Sequence, residues 1–404
     1  MDNTKDKSRE LFKRIFKKEP EKVIKSPYRI CPIGAHVDHQ GGLSTGFTID
    51  KGIILAFRKR KNVINLKSNE FNNYCKIDLK KFKANKDKNH SWDKYITGAV
   101  IELSKKYKIE YGFDGYVYGE FPVLGGLSSS AAVTTAYLKA LAYVNDIELT
   151  KKELLKMSHG VENNYIGLKN GILDQSINIF GEKDKLTFIN CNIIEEQLKH
   201  DNDKPITAYR NIENKSTNYS WLIFYSGLSK PLIRTDYNKR VVECFIACKE
   251  LSKLCKKKAQ KLCDLDYNFY LEFKNRLNQK SAKRGCHYYH ENLIVEKAIS
   301  YWKNGSAKKF GVAMNNSCYS SIENYECGSP ELILLHNILL RTDGVYGSRF
   351  SGGGHRGCCI ALVNKNEKEN IKLSVMRLYT GVYEEYKYIA DVYECKMDDG
   401  IRYI

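Results

Sequence analysis

No run of apolar residues in this 404-residue chain approaches the roughly 20 that a helix needs to cross a bilayer, so a helical membrane span is excluded. Proline is scarce, at 7 residues, and there is no internal repeat or low-complexity tract, which excludes fibrous, solenoid and linker-like chains. Nothing at the start has the basic, apolar and small-residue order of a secretory leader, and the 13 cysteines are an odd number spread from Cys31 to Cys395. Reduced, cytoplasmic surroundings are expected. Cys244 and Cys248 lie one helical turn apart, but no second pair at zinc-ligand spacing accompanies them, so they read as core thiols. Acidic residues are in deficit, 47 Asp and Glu against 66 Lys and Arg, leaving a formal charge of +19 that could serve an anionic partner. The basic residues are scattered, concentrating only at Lys5–Lys25, Arg58–Lys67 and Lys249–Lys261, with no Cys2His2 spacing, RNP-type strand or Arg-rich arm. A solvated surface is the expected reading, compatible with a small anionic substrate, and nucleic acid is not the expected partner.

What is present is a soluble globular composition, 42% hydrophobic and 28% charged, long enough for two or three domains. Leu11, Phe12, Ile15 and Phe16 recur at helical spacing within Ser8–Glu19, which predicts a short amphipathic helix packed on the body, with a membrane-surface helix as the alternative. Strands are predicted at Val23–Ile24, Gly46–Phe57, Val63–Leu66 and Gly115–Tyr118, and helices at Trp92–Tyr107, Leu127–Val144 and Lys151–Tyr165. After a strand at Leu186–Asn190, the polar, weakly periodic His200–Ser220 is the candidate crossover, dividing the chain into 1–205 and 206–404. Beyond it come a strand at Trp221–Tyr225, helices at Asp236–Lys261, Glu291–Trp302, Lys308–Ser317 and Pro330–Leu340, and a strand at Cys358–Val363.

The most informative segment is Pro122-Val-Leu-Gly-Gly-Leu-Ser-Ser-Ser-Ala-Ala132. Two glycines let backbone approach a ligand, and the serines open a helix whose free N–H groups and positive dipole end suit a phosphate. No Gly-Lys-Ser/Thr follows, so it is not a Walker loop, and taken alone it could be a plain strand-to-helix cap. It is flanked at long range by Pro27-Tyr-Arg-Ile-Cys-Pro-Ile-Gly-Ala-His-Val-Asp-His39 and Ser351-Gly-Gly-Gly-His-Arg-Gly-Cys-Cys359.

In order and spacing these three segments resemble the three motifs of the GHMP kinase superfamily, in its galactokinase-like branch. Trp92-Asp-Lys-Tyr95, Val161-Glu-Asn-Asn-Tyr-Ile-Gly167, Gly171-Ile-Leu-Asp-Gln175, Arg284-Gly-Cys-His-Tyr-Tyr-His-Glu-Asn292 and Gly344-Val-Tyr-Gly-Ser-Arg349 extend the likeness over nearly the whole chain. Ser26–Gly42 and Arg356-Gly-Cys-Cys359 are similar to the corresponding strings of the galacturonokinases. The resemblance implies an α+β fold, with an N-terminal domain like ribosomal protein S5 domain 2, a ferredoxin-like C-terminal domain, and an active site between them. It also implies ATP-dependent phosphorylation of a sugar at C1.

Such a reaction needs a carboxylate base, a cation and Mg²⁺. By resemblance, Asp174 is the base and Arg29 the cation beside it. Ser130 and Glu162 hold Mg²⁺, Glu162 standing twelve positions before Asp174. Gly125, Gly126, Leu127, Ser128, Ser129 and Ser130 line the phosphates, and Trp92 and Tyr95 meet the adenine. Ala35, His36, Asp38, Gly171 and Tyr237 surround the sugar. Ala35 is the departure from galactokinases, whose Gly-Glu-His-x-Asp-Tyr reads here Gly34-Ala-His-Val-Asp-His39. Without that Glu the position tolerates a carboxylate at C6, so D-galacturonate is the expected substrate. A galactokinase, or a kinase of another C6-modified hexose, is the alternative enzyme, and a catalytically silent sugar sensor the alternative from another class. The cation that meets a substrate carboxylate, the role of Arg356 and the oligomeric state are not readable from the sequence.

Overall fold

The computed structural model describes residues 3–82, 92–122, 125–200, 204–228 and 235–404. Two sheets organise them. The larger is built from β1 (Lys22–Ile30), the long β2 (Leu43–Lys61), β3 (Val63–Ser68), β4 (Cys75–Asp78) and β5 (Tyr111–Gly119). It is extended by β6 (Lys185–Asn190) and β7 (Tyr209–Glu213). The smaller holds β8 (Tyr219–Tyr225), β9 (Val345–Phe350), β10 (Cys358–Asn364) and β11 (Asp391–Cys395), after which β12 (Arg402–Tyr403) returns to the larger sheet. The larger sheet runs β12-β1-β2-β5-β3-β4, with β6 on β2 and β7 on β6, and among the described residues only β3 and β5 are parallel.

Period-two alternation explains how each strand serves two layers. In β2, Ile53, Leu55 and Phe57 enter the main core, while Ile54 and Ala56 face Phe12 of α1 (Asn3–Phe16). That helix therefore packs on the outer face of the sheet, as its pattern predicts. The inner face is covered by α3 (Ser129–Val144) and α5 (Leu173–Phe180), with α2 (Lys94–Ser104) and α4 (Lys151–Gly160) packed on those helices. A short α6 (Cys191–Lys199) follows β6.

In the smaller sheet the order β11-β8-β10-β9 and the connectivity strand, helices, strand, strand, helix, strand give the ferredoxin-like arrangement. Its helical excursion comprises α7 (Tyr237–Leu254), α8 (Tyr267–Phe273), α9 (Gln279–Lys303), α10 (Ala307–Glu323) and α11 (Pro330–Leu340), and α12 (Lys368–Val382) is the later crossing helix. Cys358, Ile360 and Leu362 of β10 point into the main core, whereas Cys359, Ala361 and Val363 point to the second core under α11 and α12. The main core thus runs unbroken from one sheet to the other. All thirteen cysteines are free, and Cys244 and Cys248 are buried in separate apolar clusters.

Three sequence expectations change. His200–Ser220, read as a polar crossover, contains β7, which pairs with β6 and whose Ile212 carbonyl accepts the Trp302 Nε1–H at 3.1 Å. Pairing from a distant partner outweighs weak local periodicity there. The helix predicted over Lys151–Tyr165 is α only to Gly160 and continues as a wider π-helical turn, Val161–Ile166, closed by Gly167 at φ +81°. The helix predicted from Glu291 begins at Gln279, where Asn278 accepts the Ser281 N–H at 3.0 Å as N-cap.

Candidate active site

β1 ends by delivering Arg29 to the junction of the two sheets, after a register shift between Pro27 and Arg29. Its backbone N–H donates to the Leu127 carbonyl at 3.2 Å. Its buried guanidinium donates from Nε to Asp174 Oδ1 at 2.7 Å, and from Nη1 to the Gly126 carbonyl at 3.3 Å and Ser351 Oγ at 3.4 Å. One side chain therefore ties the first, second and third motifs together. Burial opposes the charge of Arg29, but the Asp174 carboxylate overrides it and holds the guanidinium above its ordinary range. Asp174 stands in the first turn of α5, and its other oxygen, Oδ2, accepts the Ser128 hydroxyl.

Ser128 is the N-cap of α3 and sits at φ +61°, ψ +41°, a left-handed conformation that costs a non-glycine residue about 1–2 kcal/mol. Strain of that kind persists only where the surroundings over-determine it. Beside it, Gly126 at φ +83° lies against Ser351 and Arg356, and a Cβ built on Gly357 would come 2.5 Å from Gly125. The second and third motifs touch backbone to backbone, which only glycines permit. The opening N–H groups of α3 lie beside Ser128, Ser129 and Ser130 on the cleft wall, giving that wall the positive end of the helix dipole. Val123 and Leu124 of this loop lie outside the described residues.

The cleft encloses about 400 Å³. Arg29, Ala35, His36, Asp38, Trp92, Tyr95, Gly126, Ser128, Ser129, Ser130, Asp174 and Tyr237 line it together. Gly125, Leu127, Glu162 and Gly171 do not. Gly125 packs under the Phe121 ring, and Leu127 is buried in the main core and contributes its carbonyl to Arg29. Gly171 supports Asp38 from behind, since a Cβ there would fall 2.5 Å from the Asp38 carbonyl carbon.

At the inner end, Asp38 is buried on a short 3-10 turn, with the Leu173 N–H 3.4 Å from its Oδ2. Burial, and then repulsion from Asp174, push its carboxyl up to about 6. Burial likewise pushes the Tyr237 hydroxyl well above its usual range, with the Asp38 and Asp174 anions adding to it. The His36 ring forms part of the wall, with Nε2 3.0 Å from the Gly352 carbonyl, and burial holds it neutral. At the outer end, Trp92 is stacked on Phe71, ring centres 5.5 Å apart and planes within 1°, next to Tyr95.

The chain matches the family described as GHMP kinases N terminal domain over residues 94–182, GHMP kinases C terminal over 295–380, and a galactokinase galactose-binding signature over 10–59. It is 37% identical over 370 residues to a galacturonokinase of Arabidopsis thaliana, covering 86% of this chain and 84% of that one. The chain belongs to the GHMP kinase superfamily, in its galactokinase-like branch. It is a sugar kinase of that family, an ATP-dependent phosphotransferase. The kinase is also 31% identical over 402 residues to a galactokinase of Lactobacillus helveticus, covering 98% of this chain and 99% of the other. Among solved structures, Lactococcus lactis galactokinase complexed with galactose superposes with a TM-score of 0.88 at 28% identity, covering 98% and 99% of the two chains. Methanococcus jannaschii mevalonate kinase, at TM-score 0.65 and 19% identity over 93% and 98% of the chains, shares the fold.

Kinases of this family normally use Mg²⁺, so the donor set of this one matters. Glu162, on the π-helical turn, is buried; its Oε2 accepts Asn170 Nδ2–H at 2.7 Å and Gln175 Nε2–H. Its Oε1 is buried without a hydrogen-bond partner. Burial, and then the Asp174 charge, raise the Glu162 carboxyl to about 7, while the neighbouring Ser130 hydroxyl acts in the opposite direction. An orphaned carboxylate oxygen beside a cleft hydroxyl is a hard-oxygen pair, which suits an ion that keeps several of its own waters. Among the described residues no three His, Cys, Asp or Glu side chains gather as a metal cage, and no helix is long and apolar enough to cross a membrane.

Sequence reasoning missed Phe71 and Asn170, and it placed Ser351, Gly352 and Gly353 in the third motif without giving them individual roles. Phe71 comes from the loop between β3 and β4, where no motif marks it. Asn170 precedes the Gly171-Ile-Leu-Asp-Gln175 string and could have been flagged from its position there.

Proposed function

We propose that this kinase transfers the γ-phosphoryl group of ATP to the anomeric hydroxyl of D-galacturonate, giving α-D-galacturonate 1-phosphate and ADP. The observation that carries the substrate is Ala35, a methyl group on the cleft wall where galactokinases present a carboxylate. Identity to a galacturonokinase supports the same reading.

Asp174 is the base. Arg29 holds one of its oxygens and Ser128 the other, so the carboxylate is fixed in direction, and each oxygen keeps a lone pair for the O1–H of the sugar. O1 gives its proton to Asp174 and forms the bond to the γ-phosphorus, while the bond from that phosphorus to the β-γ bridging oxygen breaks and ADP leaves. Arg29 faces the charge that develops between them, and the opening of α3 holds the phosphates through its free N–H groups. Ser130 and Glu162 would hold Mg²⁺, which supplies charge neutralisation on the β- and γ-oxygens. Asp38, backed by Gly171, accepts neighbouring sugar hydroxyls, His36 and Tyr237 complete that subsite, and Trp92 and Tyr95, with Phe71, receive the adenine. In this reading residues 1–205 form the domain with the sugar and phosphate motifs, and 206–404 the domain with the third motif.

The test is ADP release at fixed ATP and Mg²⁺ with D-galacturonate, D-glucuronate and D-galactose supplied separately, beside an Asp174→Ala control. Selective turnover of galacturonate that vanishes in the control is the expected result. Preference for galactose replaces the substrate with that of the galactokinase relatives, and no turnover with any sugar returns the sugar-sensor reading.

A further inference from the structure

Three consecutive residues of the first motif are each gripped by a buried side chain from the second half of the chain. The Gly34 N–H donates to Glu291 Oε1 at 2.7 Å. The Ala35 carbonyl lies 3.0 Å from His287 Nε2, which must therefore be the protonated nitrogen, leaving Nδ1 to accept the Ser320 hydroxyl at 3.0 Å. The His36 ring lies flat on Tyr325, centres 4.5 Å apart and planes within 5°. His36 is left-handed, at φ +63°, so its conformation depends on what surrounds it.

Glu291 and His287 stand one turn apart on α9, on the same face. Both are buried, and Glu291 also accepts the Ser317 hydroxyl and lies 3.6 Å from Arg349 Nη1. Neither member of that ion pair is exposed at all. A fully buried ion pair is a poor way to stabilise a core, because desolvation offsets its Coulomb gain. What this one does hold is the N–H that begins the turn carrying Ala35.

We propose that His287 and Glu291 are positioning residues that fix the backbone of Gly34–His36 from α9, and through it the sugar selectivity of the cleft. They touch neither substrate. Ala35 has no polar side-chain group with which to anchor itself, so the place of its methyl group is set by the bonds to its own carbonyl and to the N–H before it. The inference deepens the substrate reading above and rests on it for the identity of the sugar.

The test uses His287→Phe, which keeps a ring against Tyr325 but removes both hydrogen bonds, and Ser320→Ala, which removes the hydroxyl that orients His287 along with its 3.3 Å bond from Asn324 Nδ2. Steady-state kinetics are read on whichever sugar the unaltered kinase phosphorylates, so a wrong substrate assignment leaves this measurement intact. Losing a buried hydrogen bond predicts a rise in sugar KM of about tenfold for His287→Phe. ATP KM should stay within about twofold, and the preference between galacturonate and galactose should narrow. Ser320→Ala should shift sugar KM in the same direction by a smaller factor, with an unchanged thermal midpoint. Sugar and ATP KM rising together would overturn the proposal. So would Ser320→Ala leaving both sugar KM and sugar preference at the parent values, an outcome that decides the matter even if His287→Phe does not fold.

Discussion

Ala35→Glu puts back the carboxylate that galactokinases carry, at a residue only 5% exposed on a wall that already faces Asp38 and Asp174. If the new carboxylate and that of a uronate approach to about 4 Å, they repel by about 1 kcal/mol at the dielectric of water and about 4 kcal/mol at an effective value near 20. The arginine nearest the reacting carboxylate offers no relief, because Arg29 Nε is bonded to Asp174 at 2.7 Å. At about 1.4 kcal/mol per factor of ten, kcat/KM for galacturonate should fall between about fivefold and a thousandfold relative to that for galactose. A neutral C6 hydroxyl can instead donate to the new carboxylate, so the galactose value should hold or rise. The measurement is ADP release with the two sugars on one enzyme preparation; their ratio does not depend on how much of the protein is active. Ala35→Gln, close in size and uncharged, separates charge from bulk. An unchanged ratio in Ala35→Glu refutes the reasoning, and an equal change in Ala35→Gln assigns the effect to size and removes electrostatics from the account.

Asp174→Asn keeps the shape of the site and removes the base, so kcat should drop by about a hundredfold to ten-thousandfold; the thermal midpoint should fall as well, because the buried Arg29 guanidinium loses its counter-charge, so kcat is read on the folded fraction, and retained kcat would move the base elsewhere. Ser128→Gly relieves the left-handed backbone while deleting the hydroxyl on Asp174 Oδ2, so the thermal midpoint should rise as kcat falls, a pairing that a merely structural serine would not give. Asp38 has a carboxyl raised to about 6 by burial and Asp174, and it must be ionised to accept sugar hydroxyls, so sugar KM should climb as pH falls through about 6 while ATP KM does not follow. The stability sign is the reverse. A raised carboxyl contributes stability that is fully present below its unfolded value of about 3.9 and lost as pH rises through about 6, so Asp38→Asn should melt above the parent at pH 8 and converge with it near pH 4.

The parts of the fold legible in the sequence are those whose cause is local. Phe12 and its helical neighbours announce α1, and the alternation in Gly46–Phe57 announces β2. Part of what escaped prediction is set by distant partners, β7 by its ladder to β6 and the two-residue β12 by β1, whereas the start of α9 rests on a single local cap, Asn278. The site divides in the same way. Ser128 and Ser130 stood out because their segment carries glycines and serines in an order with a chemical purpose, and Arg29 and Asp174 because their strings resemble those of the family. Phe71 and Tyr325 did not, because each acts only on a residue brought to it from elsewhere in the chain; His287 and Glu291 lie in the Arg284–Asn292 string that resembles the family, but what they hold becomes visible only where α9 meets Gly34 and Ala35.

The glycines of the motifs show why those segments were readable at all. A Cβ on Gly352 would fall 2.8 Å from the Gly126 carbonyl oxygen, and one on Gly357 would fall 2.5 Å from Gly125, so the second and third motifs form one double loop. Arg29 threads it, bonding to Gly126 and Ser351 with one nitrogen and to Asp174 with another. Residue identity there is dictated by backbone crowding and by one buried charge, constraints strict enough to leave a mark in sequence. Sugar selectivity is dictated differently. It depends on where the short Ala35 turn sits, and that turn is held through backbone N–H and C=O groups, which every residue type but proline possesses, so the identities of the turn's own residues do not report which side chains hold it.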